Sequence, residues 1–545
     1  MSYLGTTYTL PCNLGGFNGN RNKSLIPPID MIDGTRNLNL HEGVRRKRGG
    51  TGHINVSAID SGSRIYGMFD YLKPAGMQYI VFATSGKIYK NATETIKTGW
   101  TASKHVWFSQ FAGELYACNG SDLPGKWDGT TWTDLSAVPT DWTTSKPKYM
   151  ITHGRGNSLR NWAFGCASTP YTLYVSPNND GDDFSNTNVT TLKIDTGDGY
   201  GLVGGTVYTD QLIMFGRKQS YIVDDADTDT TNWGYTQSNW QGGVAHQRLI
   251  IPTPNDIICV DENMEIYSVI AAQSYGDYQA ASIARPSFIH NWIEDNVRKS
   301  YIANFHGVYD RKLRAIKIFV VRTGQTTIDT ALVYFIDRGP QNGWMIHDNL
   351  VNASGYSASC SAEIYVGAGD YQIYTGDYSG YIWNLETTAR YDNALAFNSG
   401  FKTTDTDFGN PKYKKRFKRG WIICDPQGTE TINVAVYIDG TQIDAPSGAY
   451  AAGTTYALGA IVTYGAKIYE SLAASNTGHT PSSSPTWWKQ HRFSLTVTSG
   501  TKEYAFDIGA IGYRIKTDVY NNTVSEDMVI EQELIDYMPL GSKPA

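Results

Sequence analysis

Two runs of cations interrupt a chain whose formal net charge is -6. The first, "HEGVRRKRGG", sets Arg45, Arg46, Lys47 and Arg48 in succession. The second, "FGNPKYKKRFKRGWI", gathers Lys412, Lys414, Lys415, Arg416, Lys418 and Arg419. Such side chains pair with phosphates or with protein carboxylates, and the guanidinium fork fits both. A third cluster is acidic: "YVSPNNDGDDFSN" brings Asp180, Asp182 and Asp183 around Gly181, beside Asn178 and Asn179. Hard oxygen ligands on a glycine turn suit a structural calcium. The same residues also cap hairpin turns as solvated side chains, and that is the simpler reading.

Catalytic patterns fail on inspection. "GSDLPGKW" has the glycine and lysine spacing of a phosphate loop, but Trp127 stands where a Ser or Thr would hold magnesium. HExxH, GxSxG and kinase motifs are missing, and the ten histidines are scattered without metal-ligand spacing. A glycosidase needs two carboxylates facing each other across a sugar, and no motif brings such a pair together. The residues therefore call for neither an enzyme nor a resident cofactor.

The elements that must carry these clusters read as strands. Only 18% of the 545 residues are charged while 13% are aromatic, with 37 tyrosines and 55 glycines. Tyr, Trp, Thr and Val suit half-buried pleated strands, and Gly, Asn and Asp suit the turns between them. Aromatic hairpins recur in "MQYIVFATSGKIYK", "HVWFSQFAGELYACNG", "DQLIMFGRKQSYIV", "NDIICVDENMEIYSV" and "QIYTGDYSGYIWNLE". Recurrence at roughly 40 to 60 residues suits the blades of a β-propeller, in which radial repetition leaves only short edges. "PSFIHNWIEDNVRKSY" is the one stretch that reads as a short helix.

The fold class is thus all-β: a β-propeller, a C-terminal antiparallel sheet or sandwich, and a small inserted β module. The boundaries predicted are an arm with its basic turn over 1–55, the propeller over 56–395, and the C-terminal domain over 396–446 and 491–545. The inserted module takes 447–490. Six dispersed cysteines, without CxxC spacing, read as free thiols of a chain made in a reducing cytoplasm. The N-terminus lacks the basic and apolar regions of a secretory signal. No apolar run nears the roughly 20 residues of a membrane helix.

The inserted unit resembles small chitin-binding carbohydrate modules. Tyr456, Gly459, Val462, Tyr464, Lys467, Tyr469, Asn476, Gly478, Pro481, Trp487 and Trp488 carry the pattern. The resemblance implies a sugar or host-surface glycan stacked on some of Tyr456, Tyr464, Tyr469, Trp487 and Trp488. If "TWWK" is extended, its two tryptophans point to opposite faces, so at most one fits the core. The turn "YALGAIVTYGA" departs from the usual sequence of those modules.

The rest of the chain resembles tail nozzle proteins of short-tailed bacteriophages, also called tail tubular protein B or DNA-stabilisation proteins. Gly15, Gly16, Asn18 and Asn37 match their N-terminal segment, and Arg46, Lys47, Arg48 and Gly50 match their basic turn. "GDYSGYIW", "FGNPKYKKRFKRGWI" and "MVIEQELIDYMPLG" follow in the same order. The resemblance implies a six-fold ring in the virion tail, below portal and adaptor, around the channel through which DNA leaves. Its partners would be the neighbouring subunits, the adaptor, tail fibres or tailspikes, and, transiently, genomic DNA.

In such a ring, interfaces are heterologous, one patch meeting a different one. Both basic runs then read as subunit or adaptor contacts. Six copies of the second run lining a bore would grip DNA through counterion release and oppose its exit. Neither run is therefore expected at the narrowest point. The rival readings are a DNA contact at the wide mouth and plain solvated strands; the rival classes are a glycan-degrading propeller enzyme and a glycan-binding adhesin.

Overall fold

A computed structural model describes residues 5–542, apart from 74–75, 77, 92, 156–157, 240–241, 271–281, 349–356, 444, 466 and 491–492. The chain is all-β. Seven antiparallel sheets follow one another from Gly67 to Thr387, six with four strands and one with three among the described residues. Their first strands are Gly67–Leu72, Trp107–Phe111, Tyr149–His153, Gly204–Tyr208, Ile250–Thr253, His306–Asp310 and Ala358–Gly367. Each lies beside the next, and the last returns to the first, which closes a seven-bladed propeller.

The closure is made by strand pairing between the two ends of the propeller segment. Gly50–His53, which the sequence assigns to the arm, is the outer strand of the last blade and pairs with Ile382–Thr387. Residues before the first blade thus complete the seventh, and opening the ring requires stripping a strand from its sheet. Aromatic side chains fill the wedges between blades. Tyr71 lies 5.3 Å from Trp127, and Trp162 stacks on Trp233 at 5.4 Å.

Short polar side chains staple the blade turns. In "GDYSGYIW", Asp377 Oδ1 accepts the N–H groups of Ser379 and Tyr381, and Oδ2 accepts the Trp383 indole N–H at 2.9 Å. Gly380 sits at φ +79 with Ile59 O 2.5 Å from where a Cβ would be, so no other residue fits there. Asn119 and Asp261 hold their turns in the same way.

The remaining strands build a two-sheet sandwich from both ends of the chain. One sheet runs Leu38–Asn39, Arg45–Lys47, Val529–Ser542, Tyr413–Cys424, Glu503–Gly512, with Thr6–Pro11 also against Val529–Ser542. The other holds Ser399–Lys402, Ile515–Asn521, Glu430–Ile438 and Thr441–Ile443, with Ser494–Val497 also on Glu430–Ile438. Phe401, Phe417, Ile422, Val434, Phe506, Val519 and Ile535 fill the space between them. The predicted helix is present as Ile289–Asn296.

The inserted module has its own three-stranded sheet, Ile461–Tyr464, Lys467–Ser471 and Trp488–Gln490. It interrupts a single edge. Ile443 opposes Val436 and Ser494 opposes Asn433, so Thr441–Ile443 and Ser494–Val497 lie end to end along Glu430–Ile438.

Candidate interface surfaces

The two basic runs occupy opposite environments. Arg45, Lys47 and Arg48 are buried in the seam where arm, sandwich and propeller meet. Arg45 Nη2 donates to the Ile29 carbonyl at 2.7 Å, and its guanidinium lies 4.4 Å over the Phe401 ring. Lys47 Nζ donates to Asn521 Oδ1 and the Thr523 carbonyl at 2.8 and 3.0 Å. Burial, with the neighbouring Arg48, pushes that ammonium down to about 8. Arg48 grips Asp392 with both terminal nitrogens and lies 3.9 Å over Phe397. Only Arg46 is half-exposed, and Asp527 holds it at 2.7 Å. The expectation that Arg45, Lys47 and Arg48 meet a neighbouring subunit or adaptor is therefore corrected. Their strand lies between two others of its sheet, and all three side chains are spent on partners within the chain.

The second run lies along Tyr413–Cys424, where alternation decides exposure. Lys414 and Arg416 face solvent, whereas Lys415 between them is buried. Lys415 Nζ donates to the carbonyls of Asn410, Tyr413 and Tyr513 at 2.8 to 3.1 Å, so it too is corrected to an internal role. A register shift between Phe417 and Arg419 then turns Lys418 and Arg419 outward together. Arg419 pairs with Asp507 at 2.8 Å, both exposed. Lys412, Lys414, Arg416 and Lys418 make no ion pair among the described residues, leaving an exposed, uncompensated cationic ridge.

In the module, Tyr456, Tyr469 and Trp488 form the small core with Val462, so these three are corrected from sugar platform to scaffold. Trp488 donates its indole N–H to the His479 carbonyl at 2.6 Å. Tyr464 is 37% exposed, and Trp487 is half-buried, stacked flat on His479 at 3.8 Å. Of the five aromatics, these two keep surface for a ligand.

The acidic turn does not converge on a metal position, and no cluster of ligating side chains occurs among the described residues. Asp180 caps the N–H groups of Asp182 and Asp183. Asp182 takes the Tyr116 hydroxyl and the Lys126 ammonium of the preceding blade, and Asp183 takes Ser185 N–H and Asn188 Nδ2. The calcium candidates Asp180, Asp182 and Asp183 are thus a turn cap and a strut between blades. Lys126, the lysine of the apparent phosphate loop, is that strut's other half.

Sequence reasoning passed over a third basic group at the propeller's axis: Arg64, His105, His246 and Arg248. They are far apart in the chain, and the signal was positional. Each stands two to four residues ahead of a blade's first strand, in "RIYGMFD", "KHVWFSQF" and "HQRLIIP".

Fold and surfaces together define a propeller-and-sandwich protein with an exposed cationic ridge on its sandwich. No protein-family model matches the chain, and no curated protein is similar to it. Among solved structures, it is similar to the BBS1 N-terminal domain in a complex with ARL6. That similarity has a TM-score of 0.39 at 10% identity and covers 63% of this chain and 98% of that one. The WD40 domain of Neurospora crassa Pan2 scores 0.36 at 9% identity, over 63% and 96%. A family 43 arabinoxylan arabinofuranohydrolase from Bacillus subtilis scores 0.23 at 9%, over 89% and 97%. All three scores are below 0.5, so the blade count rests on the closed ring of sheets itself.

Proposed function

We propose that this chain is a ring-forming structural protein of a short-tailed phage tail, the nozzle that extends the DNA channel and retains the genome until ejection. The cationic ridge of Lys412, Lys414, Arg416 and Lys418 carries the reading. It is a set of exposed charges unpaired within the described chain, on a strand fixed at both flanks, in a protein whose other surfaces must carry its net negative charge. One patch of this kind meeting a different patch on the next copy gives a heterologous contact that closes as a ring. The order of the matching segments along the sequence supports the particular identity, and Tyr464 with Trp487 supports a glycan contact at the periphery.

The test is imaging of the purified protein beside gold-labelled virions. Six-fold end views and label at the distal tail are the expected result. A monomer at micromolar concentration, with virions free of label, overturns the reading.

A further inference from the structure

The residues that lead into the blades' first strands surround one mouth of the propeller axis. There, three basic side chains from distant parts of the chain converge on three consecutive residues. His246 Nε2 donates to the Ile302 carbonyl at 2.9 Å, Arg248 Nη2 donates to the Ala303 carbonyl, and Arg64 Nη2 donates to Asn304 Oδ1 at 3.2 Å. The Arg64 guanidinium also lies 4.3 Å over the Tyr378 ring and 5.0 Å over Tyr66, against which His105 packs.

Each of these partners is neutral. Arg64 and Arg248 make no ion pair among the described residues, and the buried Arg64 Nε and Arg248 Nη1 lack a hydrogen-bond partner. Two other buried cations are answered by carboxylates, Arg48 by Asp392 and Lys317 by Glu386 and Asp310, whereas Arg45, Lys47 and Lys415 are, like this pair, held by neutral groups. Burying a guanidinium without a counter-charge is costly. Burial, with Arg64 nearby, lowers Arg248 to about 10, and burial with Arg248 lowers His246 to about 3.

A cavity of about 660 Å³ opens onto Arg248, His246 and His105. Its rim carries the exposed Lys104 and Lys148, which make no ion pair among the described residues, and Arg217, which Glu262 neutralises at 2.7 Å. Two uncompensated arginines behind two rim lysines match a multiply charged anion better than a single carboxylate.

We propose that this axial mouth binds a phosphate-class oxyanion, with Arg248 as its direct donor, Arg64 adding positive potential behind it, and Lys104 and Lys148 steering entry. The cavity exceeds the needs of a bare phosphate and admits a phosphorylated small molecule. The shared chemistry is the phosphoryl group, whether free or carried on a nucleotide. The inference stands on the propeller alone and is independent of the nozzle reading.

Titration calorimetry of the full chain tests it, with sodium phosphate in one arm and ADP in the other, against sodium chloride at matched ionic strength. Saturable one-to-one binding is expected. Similar affinities in the two arms point to free phosphate, and a strong preference for ADP points to a phosphorylated small molecule. Arg248→Met should weaken binding about tenfold or more, the loss of one charged hydrogen bond. Without added anion, the same variant should melt higher than the parent, because an uncompensated charge has been removed, whereas a merely structural arginine would melt lower. Should Arg248→Met fail to fold, Arg64→Gln is read by the same two assays. No binding of either anion up to about 10 mM overturns the proposal. Unchanged affinity in the folded variant does so too, as does binding of a single-stranded oligonucleotide with neither small anion.

Discussion

Arg45–Arg48 and Lys412–Arg419 are built from the same residue types, four cations in four residues and six in eight. In the first run, three of four side chains end inside the protein, over the Phe401 and Phe397 rings and on Ile29, Asn521 and Asp392. In the second, five of six end in solvent. The difference is one of position within the sandwich. Arg45 and Lys47 share the strand face that is covered, toward Phe401 and Asn521, and only Arg46 on the opposite face keeps some exposure. Tyr413–Cys424 is equally central in hydrogen bonding, but one of its faces looks outward. A cationic run is thus buried or left in solvent according to which of its faces the fold covers.

The largest test of this contrast is Arg48→Met against Arg416→Met. The first removes the guanidinium that holds Asp392, itself 1% exposed, through two hydrogen bonds. Breaking a buried pair by removing one member costs about 3–5 kcal/mol. The second should move stability by less than about 0.5 kcal/mol, as surface substitutions do. Urea unfolding of the two variants reads both, and equal losses would end the distinction between the runs.

Lys47 sharpens it through pH. Its charged form is disfavoured by burial, so the folded state gives up the proton near pH 8 while the unfolded chain holds it to about 10.5. Between those values the unfolded state binds more protons, and stability contributed by this site rises with pH. The parent should therefore gain about 2 kcal/mol over Lys47→Met between pH 7.5 and 10. A difference between the two that stays flat across that window would show that the ammonium is not buried as described.

How much of this was legible in sequence follows from range. The hairpins were, because a glycine turn between two alternating runs is a local signal, as "GDYSGYIW" is. Blade number was not, since it depends on which first strands lie side by side and on Gly50–His53 crossing back to Ile382–Thr387. In the module, alternation allowed at most one tryptophan of "TWWK" in the core, and Trp488, at 2% exposure, is the one there. The fate of Arg45, Lys47 and Arg48 lay beyond such reasoning. Their partners Asp392 and Asn521 are hundreds of residues away, and no periodicity announces them.

A smaller effect is expected from removing the module. Joining Ile443 through one residue to Phe493, which stays in the sandwich core, restores one continuous edge strand in the register of Glu430–Ile438. Loop-scale excisions at such sites are well tolerated. The cost should be under about 1 kcal/mol, within the range of ordinary substitutions, with any glycan retention on immobilised chitin lost. Cooperative collapse of the sandwich would mean that the module is structural.

The smallest effect on stability, and the largest on assembly, should come from the outward ridge. Changing Lys412, Lys414, Arg416 and Lys418 together to Gln removes four exposed charges that hold no carboxylate among the described residues. Each change should alter folding by no more than about 0.5 kcal/mol. Because exposed charges act over a Debye length of about 8 Å at physiological salt, the ridge of the parent should assemble less readily as salt rises. The variant should remain monomeric by light scattering at concentrations where the parent forms rings. Buried cations offer no such lever, so Arg48→Met should lose stability and ring formation together, whereas the ridge variant loses ring formation alone. If the ridge variant assembles as the parent does, the interface lies elsewhere and the exposed run is only a solvated strand.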